Sequence, residues 1–306
     1  MSGSPDLSVQ IGGLRLKNPV MPASGTFGYG EEYADFLDLN RLGAVIVKTI
    51  TLKPRTGSYP HRSTEVASGF LASIGLQNVG VEHFIKEKLP YFAGMDVPLI
   101  VNIGGQSLEE YVELASIMNT QPRVDALELN ISCPNVSKGG IHFGTDPGVT
   151  RELVTQVRGV TEKTVIVKLT PMVSDIRLFG EICQEAGADG LSLINAPLGM
   201  SVDVKTRRSK LGRNMKGGLT GPAIKPLALY LVHQVSKSVD IPVIGIGGIS
   251  SLEDALEFFI VGASAVQVGT WNFINPRITT DIIEGLQEYL IENKMRVFRE
   301  LVGTLL

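Results

Sequence analysis

Eight short apolar runs punctuate the chain, and they do not alternate. Pro19–Ser24, Ala44–Thr49, Leu99–Ile103, Ala126–Ile131, Val165–Thr170, Gly190–Asn195, Val243–Gly247 and Ala265–Thr270 are nearly continuous in Val, Ile, Leu and Ala. A strand with one wet face alternates apolar and polar residues, whereas an unbroken run is expected of a parallel strand buried on both faces. Amphipathic stretches lie between the runs, among them "SLEEYVELASIM", "DIRLFGEICQEAG", "KPLALYLVHQVSKSV" and "SLEDALEFFIVG". Eight strand–helix units within 306 residues predict an α/β fold of the (β/α)8 TIM barrel type. The opening "LSVQIGGLRLKNP" predicts an N-terminal β-hairpin turned at Gly12-Gly13. The rival architecture is a doubly wound open sheet, but no GxGxxG follows an early strand with an acidic residue about 20 positions later. No linker or shift in composition divides residues 1–306, so one barrel domain is expected.

Composition narrows the function classes. Apolar residues make up 43% of the chain, enough for a large core, and the net charge is −3 with no basic block. Neither a nucleic acid nor a membrane surface is an expected partner, and aromatics at 6% are too sparse for a stacking platform. Two cysteines, Cys133 and Cys183, make neither a disulfide framework nor a zinc site on their own, so no metal is expected. They fit a reducing compartment. "MSGSPDLSVQ" has no apolar leader core, and no run approaches the roughly 18 residues of a membrane helix, so a cytoplasmic protein is expected.

Barrel chemistry gathers at the C-terminal ends of the strands. Those ends read Ala23-Ser24, Lys48-Thr49, Asn102, Asn130, Lys168, Asn195, Gly247-Gly248 and Gly269-Thr270. Any one asparagine is as well explained as a strand-end cap. Two lysines and three asparagines at the same end of apolar runs are a pattern. Lysine is rarely buried without a partner, so Lys48 and Lys168 should face an anion or an electron-rich ring. "GIGGIS" runs into "SLEDALEFF", where Ser250/Glu253 and Ser251/Asp254 both have capping-box spacing. Glycines there and in "VGTWNF" predict a phosphate cup after strands seven and eight, with a helix N-terminus supplying donors. The connection from Asn195 to Pro222 includes "GGLTGPAIKP" and is longer than most, which marks either a flexible loop or a functional one.

On "NISCPNVSKGGIHFGTDP", "IGLQNVG", "KTITLKPRTG", "GGLTGPAIKP", "IPVIGIGGISSLEDALEF" and "GASAVQVGT", the chain resembles the class 1 dihydroorotate dehydrogenases from about Leu7 to Asn275. Within them it is most similar to the NAD-linked type 1B catalytic subunit. The resemblance implies an FMN-dependent oxidation of dihydroorotate to orotate, a CH–CH oxidation in pyrimidine biosynthesis. It implies FMN held by Ser24, Lys48, Thr49, Asn102, Asn130, Lys168, Ile194, Gly221, Gly247, Gly248, Gly269 and Thr270. Substrate contacts would come from Lys48, Ile74, Gly75, Leu76, Asn130, Asn135 and Asn195. Lys168 would stand where negative charge grows as flavin is reduced. Cys133 would be the base that removes a proton from the substrate, on a lid running to Gly139-Gly140. Cys183, on the apolar stripe of a helix, reads as core. A homodimer is implied, with the electron acceptor either a second subunit carrying FAD and an iron–sulfur cluster or, in its place, fumarate, oxygen or a quinone.

Two positions depart from the family pattern: Ala72 in "LASIGL" stands where an asparagine is usual, and Ala196 in "INAPLG" where a threonine or serine is usual. Both usual side chains would hydrogen-bond the pyrimidine. Three functions follow as alternatives: dihydroorotate oxidation in an unusual pocket, the same chemistry on a different substrate, or a non-catalytic flavoprotein component. The retained Cys133, Lys48 and Lys168 weigh against the third.

Overall fold

A computed structural model describes residues 4–132 and 143–306. In chain order its strands are β1 (Val9–Ile11), β2 (Leu14–Leu16), β3 (Val20–Pro22), β4 (Val45–Ile50), β5 (Ser63–Val66), β6 (Gly69–Ala72), β7 (Leu99–Ile103) and β8 (Ala126–Asn130). There follow β9 (Thr164–Lys168), β10 (Gly190–Leu193), β11 (Leu198–Gly199), β12 (Val202–Asp203), β13 (Arg208–Ser209), β14 (Gly217–Thr220), β15 (Val243–Ile246) and β16 (Ala265–Val268). β1 and β2 form the expected hairpin. The eight strands read from the apolar runs form one parallel sheet in the order β3-β16-β15-β10-β9-β8-β7-β4. Its edges meet where Gly43, just before β4, donates to the Val20 carbonyl of β3 at 3.0 Å. Only glycine fits that seam, since a Cβ on Gly43 would sit 2.2 Å from the Asn18 carbonyl oxygen. The result is the (β/α)8 barrel.

The helices are α1 (Val81–His83), α2 (Leu108–Asn119), α3 (Pro147–Arg158), α4 (Ile176–Glu185), α5 (Lys225–Ser236), α6 (Leu252–Ile260) and α7 (Ile278–Glu292). Ser107, Asp146 and Asp175 cap α2, α3 and α4 by accepting backbone N–H groups. Of the two capping-box spacings, Ser251/Asp254 supplies the cap, without the reciprocal bond to the N-cap N–H. Ser251 caps α6 by accepting from Asp254 N at 3.2 Å, while the Asp254 carboxylate reaches back to Ser250 N at 2.8 Å. Asp254 also takes Lys225 Nζ at 2.6 Å, tying the starts of α5 and α6 together. Among the described residues no helix is long and apolar enough to cross a membrane.

Inside the barrel the strand period of two sorts residues into layers. Met21, Ile46, Ile100, Ala126, Ile166, Ile244 and Ala265 pack with Ile11, Leu14 and Leu16 of the hairpin, which plugs the lower end. Outward-facing residues, such as Val47, Val101, Leu127 and Val167, join the helices in the larger core. Cys183 of α4 belongs to that core.

The long connection after β10 is not a plain loop. β14 pairs with β6, placing Gly218 opposite Ala72, Leu219 opposite Leu71 and Thr220 opposite Phe70. With β11 and β5 these strands make a four-stranded antiparallel sheet, ordered β11-β14-β6-β5. Its two halves come from connections far apart in the chain, so no local pattern announces it. Within the same connection β12 and β13 form a separate ribbon.

Candidate active site

One step above the apolar layer, the interior becomes polar. Asn102, Glu128, Lys168, Ser192 and Gln267 lie two residues beyond Ile100, Ala126, Ile166, Gly190 and Ala265, and all five are buried. Glu128 is the hub. Its Oε1 accepts from Asn102 Nδ2 at 2.6 Å, and its Oε2 accepts from Ser192 Oγ at 2.8 Å and Gln267 Nε2 at 2.7 Å. Lys168 Nζ stands 3.7 Å from Oε1 and 3.5 Å from Ser24 Oγ. Burial alone would push the Glu128 carboxyl up. Lys168 and the hydrogen bonds from Gln267, Ser192 and Asn102 outweigh it and hold the group below the usual carboxylate range.

From this hub a hydrogen-bonded chain climbs to the mouth. Thr49 Oγ1 donates to Asn102 Oδ1 at 2.6 Å, Asn130 Nδ2 to Thr49 Oγ1 at 3.2 Å, and Asn195 Nδ2 to Asn130 Oδ1 at 3.2 Å. Tyr111 Oη fixes the end of β8 by donating to the Asn130 carbonyl at 2.6 Å. The three strand-end asparagines are thus one connected set, not separate caps.

A cavity of about 1590 Å³ opens above them. Of the residues expected at the cofactor, Ser24, Thr49, Asn130, Lys168 and Thr270 form part of its wall. Of those expected at the substrate, Ile74, Gly75, Leu76, Asn130 and Asn195 do so. Asn102 and Ile194 lie behind the wall, both buried. Gly221, Gly247, Gly248 and Gly269 are not on it either, although their neighbours Thr220, Pro222 and Thr270 are. Lys48 is also off the wall: its ammonium lies 5.7 Å from the centroid of the Tyr29 ring. The register shift in β4 between Val47 and Ile50 falls at this residue. Burial holds the Lys48 amine below its usual range, Glu32 opposing that shift and Arg62 adding to it. Half-buried Lys48 and buried Lys168 both have partners of the protein's own: a tyrosine ring and a carboxylate. Cys133, Asn135 and Gly139-Gly140 lie outside the described residues.

The upper sheet supplies the far wall. Ala72, Ala196 and Gly218 all line the cavity, and a Cβ on Gly218 would lie 2.7 Å from the Ala196 Cβ. The two alanines that depart from the family pattern therefore flank one glycine. Glu128, Ser192 and Gln267 were not anticipated. The available signal was a lone polar residue inside each of the runs "ALELN", "LSL" and "AVQV", at matching heights in the barrel.

The family model for dihydroorotate dehydrogenase matches residues 6–290. The chain belongs to the dihydroorotate dehydrogenase family. It is 53% identical over 304 residues to the dihydroorotate dehydrogenase B (NAD(+)) catalytic subunit of Geotalea uraniireducens, covering 99% of each chain. Proteins of the same name from Pelobacter propionicus and Thermoanaerobacter sp. are 52% and 49% identical, over 98% of this chain and 99% of each of theirs. In family terms the polar layer and the cavity above it occupy the end of the barrel where the chemistry of such folds is found.

Proposed function

We infer that the chain is an oxidoreductase that oxidises dihydroorotate to orotate, a CH–CH oxidation in pyrimidine biosynthesis, with FMN as its bound acceptor. The observation that carries this reading is a buried lysine and two asparagines, Asn130 and Asn195, facing a large cavity and linked to a third, Asn102, behind its wall, in a chain about half identical to catalytic subunits of that name over nearly its whole length.

The residues present fit FMN. Gly247 and Gly248 hold φ values of +128° and +76° just ahead of α6, a backbone that side chains rarely adopt. A Cβ on Gly269 would meet only Ala23, at 3.9 Å, which leaves room for a group to approach the backbone after β16. These glycines, with Gly221 and Thr270, would hold the phosphate next to the N-terminus of α6. Ser24, Thr49, Asn102, Asn130, Lys168 and Ile194 would hold the rest. When bound, FMN would take up the two electrons removed from the substrate.

The chain's own contribution is orientation and proton handling. Asn130 and Asn195 each retain one side-chain N–H beyond those used in the chain described above, and these suit the carbonyl and carboxylate oxygens of a pyrimidine acid. Ile74, Gly75 and Leu76 close the apolar side of the cavity, and Asn135 completes the substrate set. Cys133 takes the proton lost from the substrate. Its thiolate is the active form, so its environment must lower the thiol from its free value near 8.5. Lys48 stays in the substrate set.

The departures at Ala72 and Ala196 favour a second reading on one specific point, the methyl-lined wall around Gly218. There the same proton-and-electron chemistry would serve a less polar or larger substrate. A partner subunit with FAD and an iron–sulfur cluster would carry electrons onward to NAD. The chain has two cysteines, short of the four thiolates such clusters use. A homodimer is part of the same proposal.

Anaerobic mixing of the flavin-loaded protein with dihydroorotate tests the reading. Loss of flavin absorbance is expected. No loss at millimolar substrate, with dithionite still effective, would sink dihydroorotate as substrate and leave the second reading. Cys133→Ser should keep its flavin yet slow this reduction at least about 100-fold near neutral pH.

A further inference from the structure

The catalytic reading above leaves the buried carboxylate of Glu128 without a task. Glu128 is fully enclosed in the barrel, and the polar atoms aimed at its carboxylate from β7, β9, β10 and β16 are the side chains of Asn102, Lys168, Ser192 and Gln267. A ring built of donors suits an ionised acceptor. Lys168 Nζ is held between that carboxylate and Ser24 Oγ, and Lys168 and Ser24 both reach the cavity wall.

We propose that Glu128 is a positioning residue of the redox site: acting through Lys168, it pins the ammonium at the floor of the cavity and offsets part of its charge, so that the bound flavin is harder to reduce than it would be beside Lys168 alone. A cation next to a flavin stabilises the negative charge gained on reduction. A fixed anion behind that cation weakens the effect. The layer thus sets a driving force as well as a binding geometry. This role rests on the flavin reading given above and deepens it.

Gln267 makes the charge removable. Its Oε1 has no hydrogen-bond partner. In Glu128→Gln, Gln267 can turn its amide and offer that oxygen to the new NH2 group, so the substituted side chain keeps a partner there while the charge is lost.

The experiment is a redox titration of bound flavin at pH 7 in the flavin-loaded protein, followed by absorbance against reference dyes. Glu128→Gln should raise the two-electron reduction constant at least tenfold, about 30 mV in midpoint potential. Ser192→Ala keeps the charge and removes one hydrogen bond, and should shift the constant less than threefold. In a Lys168→Met background, Glu128→Gln should shift it less than threefold, because a buried carboxyl that has lost its cation takes up a proton and leaves no charge to remove. An unchanged or lowered constant in Glu128→Gln overturns the role, and so does an equal rise in Ser192→Ala. Should Glu128→Gln not take up flavin, Glu128→Asp serves instead, since it draws the charge back by one methylene. A rise of about threefold supports the role there, and no rise overturns it. A wild-type chain that binds no FMN would sink the flavin reading itself, whereas an unmoved potential in a loaded variant sinks only the role of Glu128.

Discussion

The lower and upper layers of the barrel interior are built from the same strands, one residue pair apart, and they obey opposite rules. Below, Ile100, Ala126, Ile166 and Ala265 pack against the hairpin with no polar group among them. Above, Asn102, Glu128, Lys168 and Gln267 occupy the next inward positions and satisfy one another. The lower layer derives its stability from area removed from water and tolerates changes that keep volume. The upper layer contributes little net stability, because burying its ions costs nearly what pairing them returns. What it gains is a fixed arrangement of charge under the cavity. The change occurs over one step of about 7 Å along each strand, and that step separates the apolar core of the barrel from the charged floor of the cavity.

The sharpest way to break this contrast is to put the wrong chemistry in the lower layer. Ile166→Asp places an unpaired carboxylate among aliphatic groups, and no folded protein is expected by circular dichroism at neutral pH. Next in size, Lys168→Met leaves Glu128 without its cation, and urea unfolding at pH 7 should show a loss of about 3 kcal/mol, the low end for a broken buried pair because three hydrogen bonds remain. Most of that loss should return in the double variant with Glu128→Gln. A full loss in the double variant would show that packing, not charge, sets the upper layer.

How much of this was legible beforehand differs between the layers. The lower one was plain, since uninterrupted runs of Val, Ile and Leu, four to eight residues long and recurring between amphipathic stretches, are the mark of strands buried on both faces. The strand-end residues Asn130, Lys168 and Asn195 were legible because an amide or ammonium that closes an apolar run is conspicuous. Glu128 was hidden in the middle of "ALELN", where a lone acid reads as noise until β7, β9, β10 and β16 bring its donors around it. The upper sheet was hidden for another reason. Thr220 bonds the carbonyl of Phe70 across 150 positions, and local periodicity carries no trace of a partner so distant.

Titration offers a smaller effect with a definite sign. The folded-state pKa of Glu128 lies below its ordinary value of 4.5, so its stabilisation is complete above that value and is lost as pH falls through the lowered pKa. Urea midpoints of wild type and Glu128→Gln should therefore converge below about pH 4.5 and run parallel between pH 6 and 8. Curves parallel throughout would contradict an ionised Glu128. The smallest change concerns the cavity roof. Restoring polar groups with Ala72→Asn and Ala196→Thr should tighten orotate by about 0.5–1.5 kcal/mol each, or roughly 2- to 10-fold, measured by titration against flavin absorbance. Unchanged binding would show that the wall around Gly218 is already complete for this ligand.

Cys183, set aside early as core, turns out to be experimentally useful. It is buried in α4, and burial pushes its thiol up to about 12, so only roughly one molecule in 10⁵ carries its thiolate at pH 7. The chain has one other cysteine. Any thiol that reacts promptly in the native protein is therefore Cys133, and the wild-type chain already carries a single-site chemical reporter. Its labelling rate with and without orotate would follow the proposed base directly, with no cysteine removed.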